Sequence, residues 1–368
     1  MLIFWLVSLL FYWSKFQSLG TVVILLGAGV ELYNKKNLSF RNVTFTLLFV
    51  FVVILSSVLS EVYNGNNIEN QNIRSLAHLV FLCCAFTFLN LDVYNDKYVR
   101  IFVIAFALTA IVFSLVGVFI FNDVFYYTSA FGVSRFQYIF GEPSYLAIYS
   151  CILLYLSYFY VFRVDDRYLK LVECSLIFCV LLTGSGSGFL ILGLVLFLKY
   201  KISLRIFFLV LICGALVFYL LPPSLHDFIV HRTEQVISGD LGASTRIRFV
   251  APIDALSIML NESPFFGFGL MNYQQYMLEH YNDFISFIKV DAQGVPYNNT
   301  NIDNAWVLLM FTNGLLGSIL VFIGIINRII NKMLDIKSFM VFSFTLFFIG
   351  AFVNPLFLGL LYGNWKQK

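Results

Sequence analysis

Two arginines open the most polar stretch of this chain, and their side chains are suited to binding phosphate. Arg246 and Arg248 begin the segment 244–269, STRIRFVAPIDALSIMLNESPFFGFG, and Arg135 is the only basic residue of an earlier polar segment. A guanidinium group presents a planar fork of N–H donors to phosphate oxygens and stays charged at every relevant pH. The interval 222–304 around Arg246 is acidic overall, so these arginines do not belong to a generally basic surface. They are candidates for a phosphate site, and the alternative is that each pairs with a nearby carboxylate or lipid headgroup.

Two further segments carry polar groups that have both a structural and a chemical interpretation. Glu142 precedes Pro143, which suits the first position of a helix, and a carboxylate is favourable near the positive end of that helix. The same carboxylate can accept hydrogen bonds from sugar hydroxyls or act as a general base at the membrane boundary. The sequence TGSGSG at 183–188, with Ser185 and Ser187, is either a small-residue turn or a place where backbone N–H groups approach an anion.

The histidines and cysteines do not predict a metal site or a disulfide framework. His226 and His231 are too isolated from His280 to form a compact ligand set, and we expect neither a metal nor another cofactor. All six cysteines lie inside apolar runs, where they resemble small buried hydrophobic residues.

The composition is that of a protein embedded in a membrane. Of the 368 residues, 60% are hydrophobic and 12% are charged, against roughly half and a quarter in soluble domains. The net charge of +3 is too small to indicate a nucleic-acid partner. Apolar runs near the roughly 20 residues that a bilayer requires predict an all-α polytopic bundle of about 11 to 12 transmembrane helices. The candidate spans are 2–13, 20–33, 43–60, 75–92, 101–121, 144–162, 168–183, 187–199, 204–221, 305–326 and 338–362. The last is interrupted at Asn354-Pro355, so it is one kinked helix or two short ones.

The distribution of lysine and arginine predicts the orientation. Basic residues concentrate in every second short loop, which places those loops and the N-terminus in the cytoplasm and the interval 222–304 outside. We therefore divide the chain into an N-terminal bundle of about nine helices at 1–221, a large periplasmic loop at 222–304, and C-terminal helices with a short tail at 305–368. Apolar residues at helical spacing in the loop predict short helices on the membrane surface. They are Ile247, Val250, Ile253, Leu256 and Leu260.

The positions of the acidic residues argue against an ion-coupled transporter. Such carriers keep ionisable groups near the middle of the bilayer. Glu31, Asp92 and Glu173 fall near predicted cytoplasmic ends, and no apolar run has a charge at its centre.

Four motifs in a fixed order resemble the O-antigen polymerase (Wzy-type) family, which is related to the O-antigen ligases. The motifs are GEPSYLA at 141–147, the TGSGSG turn, STRIR at 244–248 leading into NESPFFGFG at 261–269, and DNAWVLLMFTNGLLG at 303–317. The resemblance covers about residues 40–362.

This resemblance implies a glycosyltransferase of the bacterial inner membrane that uses no nucleotide sugar. A glycan linked to undecaprenyl pyrophosphate would be transferred onto a new lipid-linked repeat unit, at the periplasmic face of the bilayer. The arginines that engage the pyrophosphate would be Arg246 first and Arg135, with Arg248 as the alternative if the register shifts by two residues. A chain-length regulator protein is the implied protein partner.

The chain departs from the ligases at one position. Many ligases carry a histidine just before the last loop-to-helix junction, where this chain has Asp303 and Asn304. This favours a polymerase over a ligase, and it leaves Asp303, Glu142 and His280 open as the base. The resulting expectation assigns catalysis and substrate binding to two groups. The catalytic group is Arg246, Arg135, Glu142 and Asp303, and the substrate-binding group is Arg248, His280, Asn304, Ser185 and Ser187. A ligase, and a lipid-linked oligosaccharide flippase or other transporter, remain the alternatives.

Overall fold

The structure is a computed structural model, and it describes part of the chain. The described residues are 2–14, 17–35, 40–64, 70–88, 97–119, 125–128, 134–163, 166–200, 251–270, 272–273, 276–277, 288–290, 296–298, 302–350 and 354–365.

Helices account for nearly all of the regular structure in these residues. They are α1 (Leu2–Tyr12), α2 (Gln17–Lys35), α3 (Phe40–Asn64), α4 (Asn70–Phe88), α5 (Lys97–Phe119), α6 (Pro143–Leu156), α7 (Arg167–Thr183), α8 (Gly186–Tyr200), α9 (Ala251–Glu262), α10 (Ala305–Ile330), α11 (Ile336–Leu346) and α12 (Pro355–Tyr362). A π-helical turn, Ser157–Val161, continues α6. Two antiparallel hairpins are formed by β1 (Tyr126–Thr128) with β2 (Ser134–Phe136) and by β3 (Ile288–Val290) with β4 (Pro296–Asn298).

The prediction of an all-α membrane protein is confirmed. Four helical stretches are long and apolar enough to cross a membrane: Val43–Ser60, Lys97–Gly117, Pro143–Val161 and Ala305–Ile330. Shorter apolar helices accompany them, and each predicted span overlaps a described helix except 204–221, which lies outside the described residues. The orientation and the three-part division of the chain stay predictions.

Helix α6 is the centre of the bundle. Every residue from Pro143 to Leu156 except Tyr145 is buried, and α7 and α8 pack against it. Pro143 begins the helix because its fixed φ suits a first helical turn, where the missing N–H has no acceptor to lose.

The predicted span 338–362 is two short helices that form a hairpin. Asp335 and Asn354 cap α11 and α12 through side-chain oxygens that accept backbone N–H groups. The chain after α12 returns to the start of α11, where Trp365 pairs with Leu334. The Trp365 N–H donates to the Met333 carbonyl oxygen at 2.8 Å, so both ends of the hairpin lie on the same side of the bundle.

The predicted span 305–326 is not a straight helix. Gly314 in α10 has φ 61° and ψ −165°, which is outside the helical region. The rings of Trp306 and Phe322 stack with centroids 5.5 Å apart, whereas sixteen residues of straight helix would separate them by about 24 Å. The chain therefore reverses direction at Gly314, and α10 consists of two limbs, 305–313 and 315–330.

Helix α9 confirms the prediction of a helix in the long polar interval, although its packed face differs from the predicted apolar stripe. Ala251, Ala255 and Met259 are buried, and α9 packs on α10. Ile253 and Leu260, which belong to the stripe, are exposed. Small residues allow α9 to approach α10 closely, which leaves the larger apolar side chains on its outer face.

Candidate functional site

The segment 264–269 is interlocked with the reversal of α10 through backbone hydrogen bonds. The N–H groups of Phe268 and Gly269 donate to the carbonyl oxygens of Phe311 and Thr312, at 2.8 and 2.7 Å. In the other direction, the N–H groups of Leu315 and Leu316 donate to the carbonyl oxygens of Pro264 and Phe265, at 2.9 and 3.2 Å. The reversal breaks the helical bonds that these four groups of α10 would otherwise make. The inserted segment replaces them, so each of these four groups keeps a hydrogen-bond partner.

Three glycines make this interlock possible. Gly267, Gly269 and Gly314 all have positive φ, which side chains other than hydrogen rarely tolerate. A Cβ at Gly314 would lie 2.3 Å from the carbonyl oxygen of Phe265, and one at Gly267 would lie 2.5 Å from the Gly314 nitrogen. The FGFG and TNG sequences are therefore two halves of one contact, which sequence reasoning missed. The glycines of both sequences were a visible signal, but nothing in the sequence showed that FGFG and TNG contact each other.

The same segment is anchored to α3 on its other side. The Ser60 hydroxyl donates to the Phe268 carbonyl oxygen at 2.7 Å, and the Asn272 amide donates to the Ser57 carbonyl oxygen at 3.1 Å. The Tyr276 ring stacks on Phe268 with centroids 3.9 Å apart. The part of the polar interval that directly follows α9 is thus held between α3 and α10.

Arg135 lies against the 183–188 turn. Its Nε donates to the Thr183 carbonyl oxygen at 2.7 Å, across an interval of 48 residues. Gly184, in the left-handed conformation with φ 56°, ends α7 directly beneath the guanidinium group, and a Cβ there would lie 3.7 Å from Arg135 Nε. The structure therefore brings together two of the sequence-predicted site elements, one from β2 and one from the start of α8.

Ser185 and Ser187 are buried in this turn, and their hydroxyls hydrogen-bond to each other at 3.0 Å. The Ser185 hydroxyl also accepts the Gly188 N–H at 3.3 Å and caps α8. Both serines shape the turn beneath Arg135. The positive end of the α8 dipole lies in the same turn, which favours an anion there together with the guanidinium group.

Glu142 stands at the exposed start of α6, close to the same turn. It occupies the N-cap position without a capping bond from its side chain to a backbone N–H of the helix, and its carboxylate accepts the Ser144 hydroxyl at 3.0 Å. One turn further on, α6 meets α8 so closely that a Cβ at Gly188 would lie 2.4 Å from the Ala147 Cβ. GEPSYLA and TGSGSG are therefore packed against each other.

Asp303 and Asn304 lie at a second place, where the start of α10 meets the C-terminal hairpin. Asn304 is buried, and its side-chain oxygen accepts the N–H groups of Trp306 and Val307, both at 3.1 Å. This caps α10. A Cβ at Gly350, near the tip of the hairpin, would lie 2.6 Å from the Asp303 carboxylate.

Trp306 stacks on Phe322, and Phe322 lies about 12 Å beyond the reversal along the second limb of α10. The fold thus places the start of α10, with Asp303 just before it, alongside the second limb of that helix.

The remaining predicted residues, Arg246, Arg248 and His280, lie outside the described residues. Within the described ranges, no group of three or more His, Cys, Asp or Glu side chains is placed to hold a metal ion.

These features define a class of protein, an all-α membrane protein whose motif residues gather where helices begin and end. Residues 174–322 match the model of a protein family described as O-antigen ligase. The match begins in α7, includes the 183–188 turn, and ends in α10 beyond the reversal. A comparison with curated proteins finds no match.

The resemblance to the O-antigen polymerase and ligase group is therefore confirmed over this region. The family covers both O-antigen ligases and polymerases and consists of glycosyltransferase-like enzymes. Both halves of the backbone interlock, 264–269 and 311–316, fall inside the matched residues. Arg135 and Glu142 lie before them and join the matched region through their contacts with the turn and with α8.

Proposed function

We propose that this protein is an O-antigen polymerase of the bacterial inner membrane. It transfers a growing glycan from undecaprenyl pyrophosphate to a new lipid-linked repeat unit, with the active site facing the periplasm and the N-terminus in the cytoplasm. The observation that carries the proposal is the contact of Arg135 with the 183–188 turn, inside a chain that matches the O-antigen ligase family.

Arg135 is suited to binding the pyrophosphate of the donor lipid. Its bond from Nε to Thr183 fixes the direction of the guanidinium plane. The start of α8 adds its dipole at the same place. Negative charge develops on the pyrophosphate as it leaves, and fixed cations stabilise that charge without a metal. Arg246 is the second arginine of this proposed clamp.

Glu142 is our first choice for the proton acceptor. A hydroxyl of the acceptor sugar attacks the anomeric carbon of the donor glycan, the bond from that carbon to the pyrophosphate oxygen breaks, and the hydroxyl proton passes to a carboxylate. Glu142 is exposed to an incoming hydroxyl, while Asp303 is held against Gly350. Ser144, which donates to the Glu142 carboxylate, orients it.

The test is a lipopolysaccharide gel of a strain that lacks this protein, with and without complementation. Loss of a polymerase leaves lipid A-core with a single repeat unit, and complementation with the wild-type chain restores long glycans. A chain-length regulator protein is the proposed partner, so co-expression with it should change the length distribution. Normal long chains in the deletion strain would contradict the proposal.

A ligase is the second candidate, because the matched family model is described as O-antigen ligase. The same gel separates the two activities. A strain without its ligase carries no repeat unit on lipid A-core and accumulates glycan on the lipid carrier. The aspartate at position 303, where many ligases carry histidine, is why we place the polymerase first.

A further inference from the structure

Backbone pairing beside Glu142 joins the residues that follow α1 to the residues that precede α6. The Gly141 N–H donates to the Trp13 carbonyl oxygen at 3.3 Å, and Ser14 pairs with Phe140. The Trp13 and Tyr145 rings stack with centroids 6.2 Å apart and planes 4° from parallel. The first helix, which the motifs do not include, therefore contributes directly to the surroundings of the GEPSYLA motif.

Three tyrosines from three separate parts of the chain converge at this junction. Tyr12 ends α1, Tyr145 lies in the first turn of α6, and Tyr273 follows the interlocked segment 264–269. The phenol groups of Tyr145 and Tyr273 are close enough to that of Tyr12 to interact with it electrostatically. All three rings are half-buried. Tyrosines of an interfacial belt point outward to lipid headgroups, whereas these three are partly buried and lie near one another at a junction of three segments.

His78 of α4 supports the cluster from behind. Its ring stacks on Tyr12 with centroids 6.3 Å apart and planes 19° from parallel. Its Nε2 is hydrogen-bonded to the Thr21 hydroxyl at 2.7 Å, which fixes the imidazole and, through it, the Tyr12 ring. Because residues of two other helices fix the Tyr12 ring, the ring loses little further conformational entropy when a ligand binds.

The cluster adjoins the proposed proton acceptor. Tyr145 follows Glu142 by three residues, which places both on the same face at the start of α6, and its N–H donates to the Glu142 carbonyl oxygen at 3.2 Å. Half-buried phenols supply flat apolar faces together with hydroxyl groups that donate and accept hydrogen bonds. A sugar ring has the complementary surface, with C–H groups on its faces and hydroxyls around its rim.

We infer that Tyr12, Tyr145 and Tyr273, supported by His78, bind the terminal sugar of the acceptor glycan and present its hydroxyl to Glu142. The inference rests on the proposed function, because it names the place where the acceptor of that reaction is held.

The test measures binding of a sugar that carries no phosphate. The probe is the repeat oligosaccharide released from the lipopolysaccharide of the host strain by mild acid, titrated against the full chain in lipid nanodiscs. Tyr12→Ala and Tyr145→Ala should each weaken binding by about tenfold, the loss expected for one well-packed ring. Tyr12→Phe and Tyr145→Phe keep the ring and should weaken it less.

The matched control is Tyr33→Ala, because Tyr33 is an 84% exposed tyrosine of α2. Size-exclusion profiles of each variant establish that it is folded. Failure of the wild-type chain to bind the probe, or equal binding by wild type, Tyr12→Ala and Tyr145→Ala, overturns the inference. A wild-type chain that does not restore long glycans to the deletion strain overturns the proposed function instead. Restoration by both wild type and the two alanine variants leaves that function standing and removes the sugar site.

Discussion

Replacing Gly314 by alanine tests the interlock between the long polar interval and α10. Gly314 has φ 61° and ψ −165°, a backbone conformation that is accessible almost only to glycine and costs about 1–3 kcal/mol for another residue. The new Cβ would lie 2.3 Å from the carbonyl oxygen of Phe265, which is backbone and cannot rotate away. Segment 264–269 must therefore move off the reversal.

The size of the effect follows from the four backbone bonds that this movement strains. Each is worth about 0.5–1.5 kcal/mol net, and more if its buried partner is left unsatisfied. Together with the backbone conformation, the loss of stability is about 3–9 kcal/mol if all four bonds are broken. For a chain of this size we expect the midpoint of thermal unfolding to fall by at least about 4 °C.

The assay is thermal unfolding of the purified protein in detergent, followed by tryptophan fluorescence, together with the lipopolysaccharide gel of complemented cells. Gly193→Ala is the matched control, because Gly193 lies within α8 and a Cβ there meets nothing within 4 Å. That variant should be as stable as the wild type or slightly more so, since alanine favours a helix by about 0.5–1 kcal/mol. A Gly314→Ala protein that unfolds at the wild-type temperature would refute the assignment of the four bonds.

Three further substitutions test the site formed by Arg135, Glu142 and the 183–188 turn. Arg135→Lys keeps the charge but loses the planar fork, and we expect at least a tenfold loss of long-chain glycan synthesis, read as repeat units per lipid A-core; wild-type chain lengths would count against the phosphate role. Glu142→Gln removes the proposed base without changing its size and should lower the rate of polymerisation in membrane vesicles by about 10²-fold or more, whereas a loss confined to Asp303→Asn would transfer the role to Asp303. Gly188→Ala should force α6 and α8 apart, because the added Cβ would lie 2.4 Å from the Cβ of Ala147. We expect it to lower the free energy of unfolding by about 1–3 kcal/mol, with Gly193→Ala as the control.

The class of protein could be predicted from local composition. Apolar runs of membrane-spanning length determine the helices because a backbone in hydrocarbon has to satisfy its own hydrogen bonds. Some helix ends could also be predicted from the sequence. Pro143 begins α6 as expected, and the Asn354-Pro355 interruption separates two helices. These features depend on residues close together in the chain, which is why sequence patterns report them.

The candidate site was predictable as a set of motifs but not as an arrangement. Sequence reasoning assigned Arg135 to catalysis and the serines of the 183–188 turn to substrate binding, and the structure brings Arg135 into contact with that turn. It did not foresee that Ser185 and Asn304 cap helices, since a cap is recognised only once the helix boundary is known. Tyr12 and Tyr273 lie outside every motif, and only the fold brings them to Tyr145.

By itself, the sequence determined that this chain is a helical membrane protein with a polar interval and a particular order of motifs. The tertiary structure alone decided that α10 reverses at Gly314 and that segment 264–269 of the interval is inserted into that reversal. A glycine within an apolar run predicts only that the helix is less stable there, by about 1 kcal/mol relative to alanine. Whether the chain bends there depends on a partner that can satisfy the broken backbone bonds, and that partner, segment 264–269, lies some 45 residues away along the chain.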